Sequence, residues 1–106
     1  MADVLQGTLD LLVLKALSLG AQHGWGISNR IQELSREAFV VGQGSLYPAL
    51  HRLERRGWID AEWRVTEHNR RARYYFLTRA GRKALTEEVQ QWRQLAASVE
   101  QVLGAT

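Results

Sequence analysis

The sequence predicts a mainly α-helical fold with one small β-hairpin, and three observations lead to that prediction. Apolar residues recur at the helical spacing in three stretches before residue 57. Two strand-like runs, separated by a polar turn, occupy residues 58–77. A long apolar repeat of the coiled-coil type then fills the segment 79–106. With 106 residues in all, we expect a single small core.

The stretch from Gly44 to Gly57 predicts the helix around which the chain is organised. Ser45 is expected to cap its N-terminus, Pro48 to lie in its first turn, and Gly57 to end it in the left-handed conformation. A repeat at i, i+4 and i+7 predicts its buried stripe, made of Leu46, Leu50 and Leu53. The other face carries polar groups that suit a DNA major groove, on Ser45, Tyr47, His51, Arg52 and Arg55. The alternative for this helix is a surface element with a solvated basic face.

Two further helices are predicted before it. The first begins at Gly7-Thr8 and ends at Gly20, and its buried side is expected to comprise Leu9, Leu12, Val13, Ala16 and Leu17. Residues 21–24 are predicted as a turn. The second helix follows, with a buried stripe of Ile27, Ile31 and Leu34, and residues 39–41 are predicted as a short β-like piece.

Residues 58–65 and 71–77 predict a hairpin, and residues 66–70 form its polar turn. Alternation places Ile59, Ala61, Trp63 and Val65 on one face. The tip and the second strand carry Arg70, Arg71 and Arg73. Three helices followed by such a hairpin describe a winged helix-turn-helix, in which the third helix enters the major groove. The arginines of the wing are then expected against phosphates or in the adjacent minor groove.

The last predicted helix, capped by Thr78, carries an apolar seam with spacings of 4, 3, 4, 3 and 4 residues. The seam consists of Leu85, Val89, Trp92, Ala96, Val99 and Leu103. A seam of this length exceeds what a small core can cover, so we expect it to pack on a second copy in a two-fold dimer. The alternative is that the helix folds back over its own domain. The predicted division is a winged helix-turn-helix domain at residues 1–78 and a dimerisation helix at residues 79–106.

The charges are segregated along the chain. Residues 1–43 hold three basic and four acidic side chains, residues 44–83 ten and four, and residues 84–106 one and three. Twelve of the fourteen basic residues are arginine, which favours planar contacts to phosphate or guanine. The central basic block therefore indicates a face that binds double-stranded DNA. The alternative function is a winged-helix module that docks another protein.

The sequence lacks the motifs of several other functional classes. There is no cysteine, and the three histidines belong to no recognisable metal-binding motif, so we expect no metal site. Ser45 lacks the sequence context of a catalytic nucleophile, and no phosphate-binding loop is present, so we expect neither enzymatic activity nor a cofactor. No signal peptide is visible, and the apolar run Leu9 to Leu19 is too short to span a bilayer. We therefore expect a cytoplasmic protein without membrane contacts.

Three segments together resemble the PadR family of bacterial transcriptional regulators. They are Leu9 to Ile31 with the string His-Gly-Trp-Gly-Ile, the Gly-Ser-Leu-Tyr-Pro stretch that begins at Gly44, and residues 70–81 with Tyr-Tyr-Phe-Leu-Thr-Arg-Ala-Gly. The resemblance covers about residues 5–85. It implies a dimeric winged-helix repressor whose recognition helix runs from Ser45 to Arg56. Many members have Gly-Arg-x-Arg before the tyrosine pair, whereas this chain has Asn-Arg-Arg-Ala-Arg, which makes its wing tip more basic.

The resemblance also points to a candidate effector site. Some members bind small aromatic molecules between the subunits, and some use an aromatic residue of the last helix to do so. Trp92 is the candidate here, because two indoles facing each other across a two-fold axis would form a flat slot. The alternative is that Trp92 simply fills the interface. Because a single helix follows the wing, we do not expect a separate domain that senses an effector.

Overall fold

The computed structural model describes the backbone of residues 2–106 and the side chains from residue 7 onward. The elements follow in the order α1 (Ala2–Ser18), β1 (Gln22–His23), α2 (Gly24–Leu34), α3 (Gln43–Arg55), β2 (Ile59–Val65), β3 (Arg71–Leu77) and α4 (Arg79–Leu103). This order confirms the predicted mainly α-helical, winged helix-turn-helix fold. Helix α1 begins at Ala2, before the predicted start at Gly7-Thr8.

The core lies where α1, α2, α3 and the base of the hairpin meet. Its fully buried side chains include Val13, Leu14, Ile27, Leu46, Leu50 and Leu53. The predicted leucine stripe of α3 is therefore confirmed, since its three members are at most 1% exposed. Burying each of these side chains contributes about 1.5–3 kcal/mol, so the stripe is what holds α3 on the other helices.

Helix α3 begins earlier than predicted. Gly42 is its N-cap, with extended backbone and no side-chain hydrogen bond, and the helix starts at Gln43. The prediction that Ser45 caps the helix is wrong, because Ser45 lies inside its first turn. Pro48 consequently falls in the second turn, where its missing N–H leaves the carbonyl of Gly44 without its usual helical donor.

The end of α3 agrees with the prediction. Gly57 has a φ of 75°, the left-handed conformation that glycine adopts without a Cβ penalty. Its N–H donates to the carbonyl of Glu54 at 2.9 Å, and the N–H of Trp58 donates to that of Leu53 at 3.1 Å. These two bonds form a Schellman motif, which ends the helix and aims the chain into the wing.

The region around α2 differs from the prediction in three ways. Residues 21–24 are not only a turn, because Gln22 and His23 form the short strand β1. Leu34 is 59% exposed and so does not belong to the buried stripe, because α2 ends there and projects past the core. Residues 39–41 form no strand, since no neighbouring strand pairs with them in the described chain.

The sheet is antiparallel, with the order β1-β3-β2. The hairpin register places Ile59 opposite Leu77 at its base and Val65 opposite Arg71 near its tip. The predicted alternation of β2 is present, but its burial changes along the strand: Ile59 is 3% exposed and Trp63 62%. The hairpin therefore extends beyond the core as a projecting wing.

Thr78 caps α4 as predicted, accepting a hydrogen bond from the N–H of Gly81 at 3.0 Å. Its hydroxyl also donates to the carbonyl of Gly57 at 2.6 Å, which ties the start of α4 to the end of α3. Ala84 and Leu85 pack against the core, the next turns of this 25-residue helix lie beside α1, and its exposed C-terminal part projects beyond them. The molecule is consequently elongated, measuring 58 × 29 × 22 Å. The division of the chain after residue 78 stays a prediction.

Candidate nucleic-acid interface

The exposed face of α3 carries three of the polar side chains singled out in the sequence. Tyr47, His51 and Arg55 are exposed and lie on the side of the helix away from the leucine stripe. Ser45 is also exposed, but it lies at the flank of the helix, beside Thr8 and the loop before α3, in a shallow cleft of about 140 Å³. The face thus offers hydroxyl, imidazole and guanidinium groups at one surface.

Tyr47 is held by a close approach of α3 to the start of α2. A Cβ atom added to Gly24 would come 2.7 Å from the Oη of Tyr47, so a side chain at position 24 would displace the ring. Glycine at this position therefore lets the tyrosine ring lie across the first turn of α2. Tyr47 remains 41% exposed.

Arg52 does not lie on that open face. Its guanidinium turns towards α1 and donates to both carboxylate oxygens of Asp10, with Nη2–Oδ1 at 2.7 Å and Nε–Oδ2 at 3.2 Å. The hydrogen bond to Asp10 raises the pKa of Arg52 from its usual value, although burial acts in the opposite direction. The structure thus separates Arg52 from the other predicted contact residues, through a partner, Asp10, that the sequence patterns did not single out.

The wing presents its three predicted arginines in different environments. Arg70 is exposed at the tip. Arg71 lies over the indole of Trp63, with its Cζ 5.1 Å from the ring centroid. Arg73 forms an ion pair with Glu54 of α3 at 3.1 Å and also lies over the ring of Tyr75. Arg73 therefore links the wing to α3 while remaining partly exposed.

Tyr75 supports this link from the core side. It is only 5% exposed, and burial raises the pKa of its phenol, while the charge of Arg73 acts to lower it. Its neighbour Tyr74 lies on the other face of the strand and receives the edge of His23 at 5.2 Å between centroids. The base of the wing is thus fixed on both faces.

A groove of about 940 Å³ separates the wing from the starts of α2 and α3, and we call it the wing groove. Its walls include Trp25, Tyr47, Trp63, Arg70, Arg71 and Arg73. The fold thus brings the wing arginines together with Tyr47, whereas Ser45, His51, Arg52 and Arg55 lie outside the groove.

Sequence reasoning missed two aromatic residues of the wing groove as candidate contacts, Trp25 and Trp63. Both are more than 60% exposed. The alternation of β2 places Trp63 on the same face as the buried Ile59. Trp63 is nevertheless exposed, because the wing extends beyond the core that would cover it.

His23 has a structural role that its position at a predicted turn partly suggested. Its Nδ1 accepts a hydrogen bond from the N–H of Gly26 at 3.0 Å, and it thereby caps α2. Within the described residues, no group of three histidine, cysteine, aspartate or glutamate side chains lies close enough to hold a metal ion. None of the helices in this part of the chain is long and apolar enough to cross a membrane.

The seam predicted for the last helix lies largely open within one chain. Leu85 packs on the core and Val89 and Ala96 are partly covered, but Trp92, Val99 and Leu103 are 50%, 47% and 71% exposed. Leu95 and Val102 widen the exposed apolar surface. Beyond its first turns, the last helix therefore does not fold back over its own domain in the single chain.

Comparison with known proteins adds an independent line of evidence. The family model described as the transcriptional regulator PadR-like family matches residues 13–87. Transcriptional regulator Rv3488 of Mycobacterium tuberculosis is 48% identical over 68 residues, which cover 64% of this chain and 63% of that protein. The match therefore spans less than two thirds of that relative's length.

Solved structures give the same result over nearly the whole chain. A transcriptional regulator from Clostridium thermocellum has a TM-score of 0.84 at 29% identity, with 95% of each chain covered. A PadR family transcriptional regulator from Eggerthella lenta has a TM-score of 0.81 at 28% identity, covering 99% of this chain and 89% of that one. The family and these relatives are transcriptional regulators, which agrees with the prediction that the chain is not an enzyme. The match over residues 13–87, which runs from α1 into α4, and the shared fold together establish that this chain belongs to the PadR-like family of transcriptional regulators.

Proposed function

We propose that this regulator binds double-stranded DNA sequence-specifically as a homodimer and represses transcription in the cytoplasm. The observation that carries the proposal is the wing groove, because it brings Tyr47 of the recognition helix and the wing arginines to one open surface. A duplex seated there would receive α3 in its major groove and the wing beside the adjacent phosphates or minor groove.

Among the residues first predicted to contact DNA, the structure favours different roles. Tyr47, His51 and Arg55 are exposed on α3 and are the best placed to reach base edges. Arg70, Arg71 and Arg73 are placed for phosphates, to which arginine donates in planar, bidentate geometry. Ser45 at the flank suits a backbone phosphate rather than a base. Arg52 is bound to Asp10 and acts on DNA through the position of α3.

The charge distribution supports DNA over a protein partner. The block of residues 44–83, which contains α3 and the wing, holds ten basic and four acidic side chains. One of those acids, Glu54, is paired with Arg73, so it does not offset the other wing arginines at the groove. A net positive, arginine-rich groove matches a polyanion, because guanidinium groups pair with phosphates in charge-assisted hydrogen bonds.

The exposed seam of α4 supports the dimer. Trp92, Val99 and Leu103, with Leu95 and Val102 at their sides, form an apolar strip on a helix that leaves its own core. Monomeric proteins rarely leave so continuous an apolar surface in water. A heptad seam packed against its two-fold copy would cover the strip and set two recognition helices at a fixed separation.

The slot for a small aromatic effector rests on the same dimer. Trp92 is half exposed in the single chain, so its indole is available to face its mate. We retain Trp92 as the candidate ligand contact, with filling of the interface as the alternative role.

Selection of duplexes from a random pool tests the proposed function. The purified protein is incubated with the pool in moderate salt, and the bound duplexes are amplified and sequenced. We expect enrichment of a pseudo-palindrome whose half-sites lie about one helical turn apart. Failure to retain any duplex even at low salt would favour the protein-docking module instead. Enrichment of a single unrepeated half-site would contradict the dimer but not DNA binding.

A further inference from the structure

Trp63 is an exposed indole at a position where the strand pattern calls for a buried one. It shares a face of β2 with Ile59 and Ala61, which pack at the core, but it lies further out and is 62% exposed. Val65, the next residue on this face, is 63% exposed. The face therefore continues as an apolar surface beyond the point where the protein covers it, and it borders the wing groove.

Arg71 covers one side of this indole. Its guanidinium carbon lies 5.1 Å from the centroid of the Trp63 ring, a distance typical of a cation–π contact. A cation–π contact uses the charge of the guanidinium rather than specific hydrogen bonds, so its N–H groups can still reach an acceptor. The indole thus restricts the Arg71 side chain without occupying its hydrogen-bond donors.

We infer that Trp63 is a DNA contact and a positioning residue for Arg71: its free side packs on deoxyribose in the minor groove while it holds Arg71 towards a phosphate. This inference rests on the proposed function. The apolar walls of the minor groove are formed by sugar C–H groups, which match Trp63 and Val65, and the phosphates at the rim match Arg71. Because Arg71 already occupies one face of the ring, insertion between two base pairs, which needs both faces, is not available to Trp63.

Arg64 provides a matched control on the same strand. It follows Trp63 but points to the other side of the hairpin, where it pairs with Glu62 and lies over Tyr74. Arg64→Ala removes one positive charge from the wing, as Arg71→Ala does, without touching the wing groove. A general effect of charge or of strand stability would appear in both variants.

The experiment measures binding of Trp63→Ala, Arg71→Ala, the double variant and Arg64→Ala to the duplex selected by the wild-type protein, at several salt concentrations. We expect about a tenfold loss of affinity for Trp63→Ala, and a similar loss for Arg71→Ala. The double variant should lose clearly less than the product of the two single losses, because the residues act as one unit. Arg71→Ala should lower the salt slope by about one unit, and Trp63→Ala should lower it in part, because a free Arg71 meets its phosphate less often.

Three results would overturn the inference. Trp63→Ala could bind as tightly as wild type; the two single losses could multiply; or Trp63→Ala could change the oligomeric state in light scattering, which would make the indole a contact between copies of the chain. Circular dichroism melting of each variant verifies folding, and Trp63→Leu, which keeps an apolar side chain, should recover part of the sugar contact but not the salt slope. If the wild-type protein selects no duplex, the proposed function fails together with the inference. If the wild type binds a duplex and Trp63→Ala binds it with the same affinity, only the inference is refuted.

Discussion

Arg52 of α3 and Asp10 of α1 form a two-bond ion pair across 42 positions of sequence. Their side chains are 22% and 11% exposed, so the pair is mostly shielded from water. It fastens the flank of α3 to the first helix, next to the leucine stripe that holds the same helix on the core. The angle at which α3 leaves the protein surface thus depends on a polar contact as well as on apolar packing.

The first prediction concerns this pair. Arg52→Ala should destabilise the protein by about 1–3 kcal/mol, because it leaves the Asp10 carboxylate largely buried without its partner. The double variant Asp10→Ala/Arg52→Ala should be less destabilised than the two single losses combined, since no orphaned charge remains. Urea unfolding followed by circular dichroism measures these free energies.

Arg55→Ala is the control for that prediction. Arg55 is on the same helix but exposed, so its removal should leave the unfolding free energy within about 0.5 kcal/mol of wild type while weakening DNA binding. If instead Arg52→Ala keeps full stability and relaxes the preference for one base pair, Arg52 contacts a base, as the sequence pattern of α3 predicts. In that case Arg52 must leave Asp10 when the protein binds DNA.

The contrast between Arg52 and Arg55 illustrates how much of the structure can be predicted from the sequence. Local periodicity suffices for the leucine stripe of α3, for the hairpin and for the Thr78 cap, because each depends on residues close together in the chain. Local periodicity cannot predict that Arg52 is paired and Arg55 is exposed, because this difference arises from Asp10, which is distant in sequence.

The remaining differences have the same origin. The start of α3 at Gln43 is set by an extended Gly42, a backbone property that no side chain signals. The short strand β1 exists only because β3 passes beside Gln22 and His23. The exposure of Trp63 follows from how far the wing projects, which depends on tertiary packing rather than on alternation.

The second prediction is that the protein dimerises through α4. Replacing Val89 and Ala96 by glutamate would place charges in an apolar interface, where each unpaired carboxylate is costly. Light scattering at micromolar concentration should show a dimer for the wild type and a monomer for the double variant. The control variant Gln90→Glu/Gln94→Glu adds the same charge to exposed positions of α4 off the seam, and it should remain dimeric. A dimeric Val89→Glu/Ala96→Glu variant would exclude the seam as the interface.

The third prediction is that the wing acts mainly on phosphates. The triple variant Arg70→Gln, Arg71→Gln and Arg73→Gln should weaken binding to all duplexes alike, because phosphate contacts carry no base information. The slope of log affinity against log salt should fall by about one unit for each lost contact. Titration of the selected duplex and of a scrambled duplex at several salt concentrations gives both quantities.

The single variant Arg73→Gln separates the two roles of that residue. Its ion pair with Glu54 is partly exposed and so contributes little to stability, but its loss frees the wing from α3. We expect a smaller change of salt slope for Arg73→Gln than for Arg70→Gln. An unchanged slope in the triple variant would remove the wing from the DNA interface.

The last prediction concerns Trp92 and a planar effector. If two Trp92 indoles face each other in the dimer, a planar cationic dye should stack between them and quench their fluorescence saturably. Binding that favours one arrangement of the subunits should also loosen the selected duplex, since the separation of the recognition helices changes with it. Trp25, Trp58 and Trp63 also fluoresce, so Trp92→Phe serves as the control, keeping an aromatic ring but not the reporting indole. Equal quenching in wild type and Trp92→Phe would show that the dye binds elsewhere, and Trp92 would then only fill the interface.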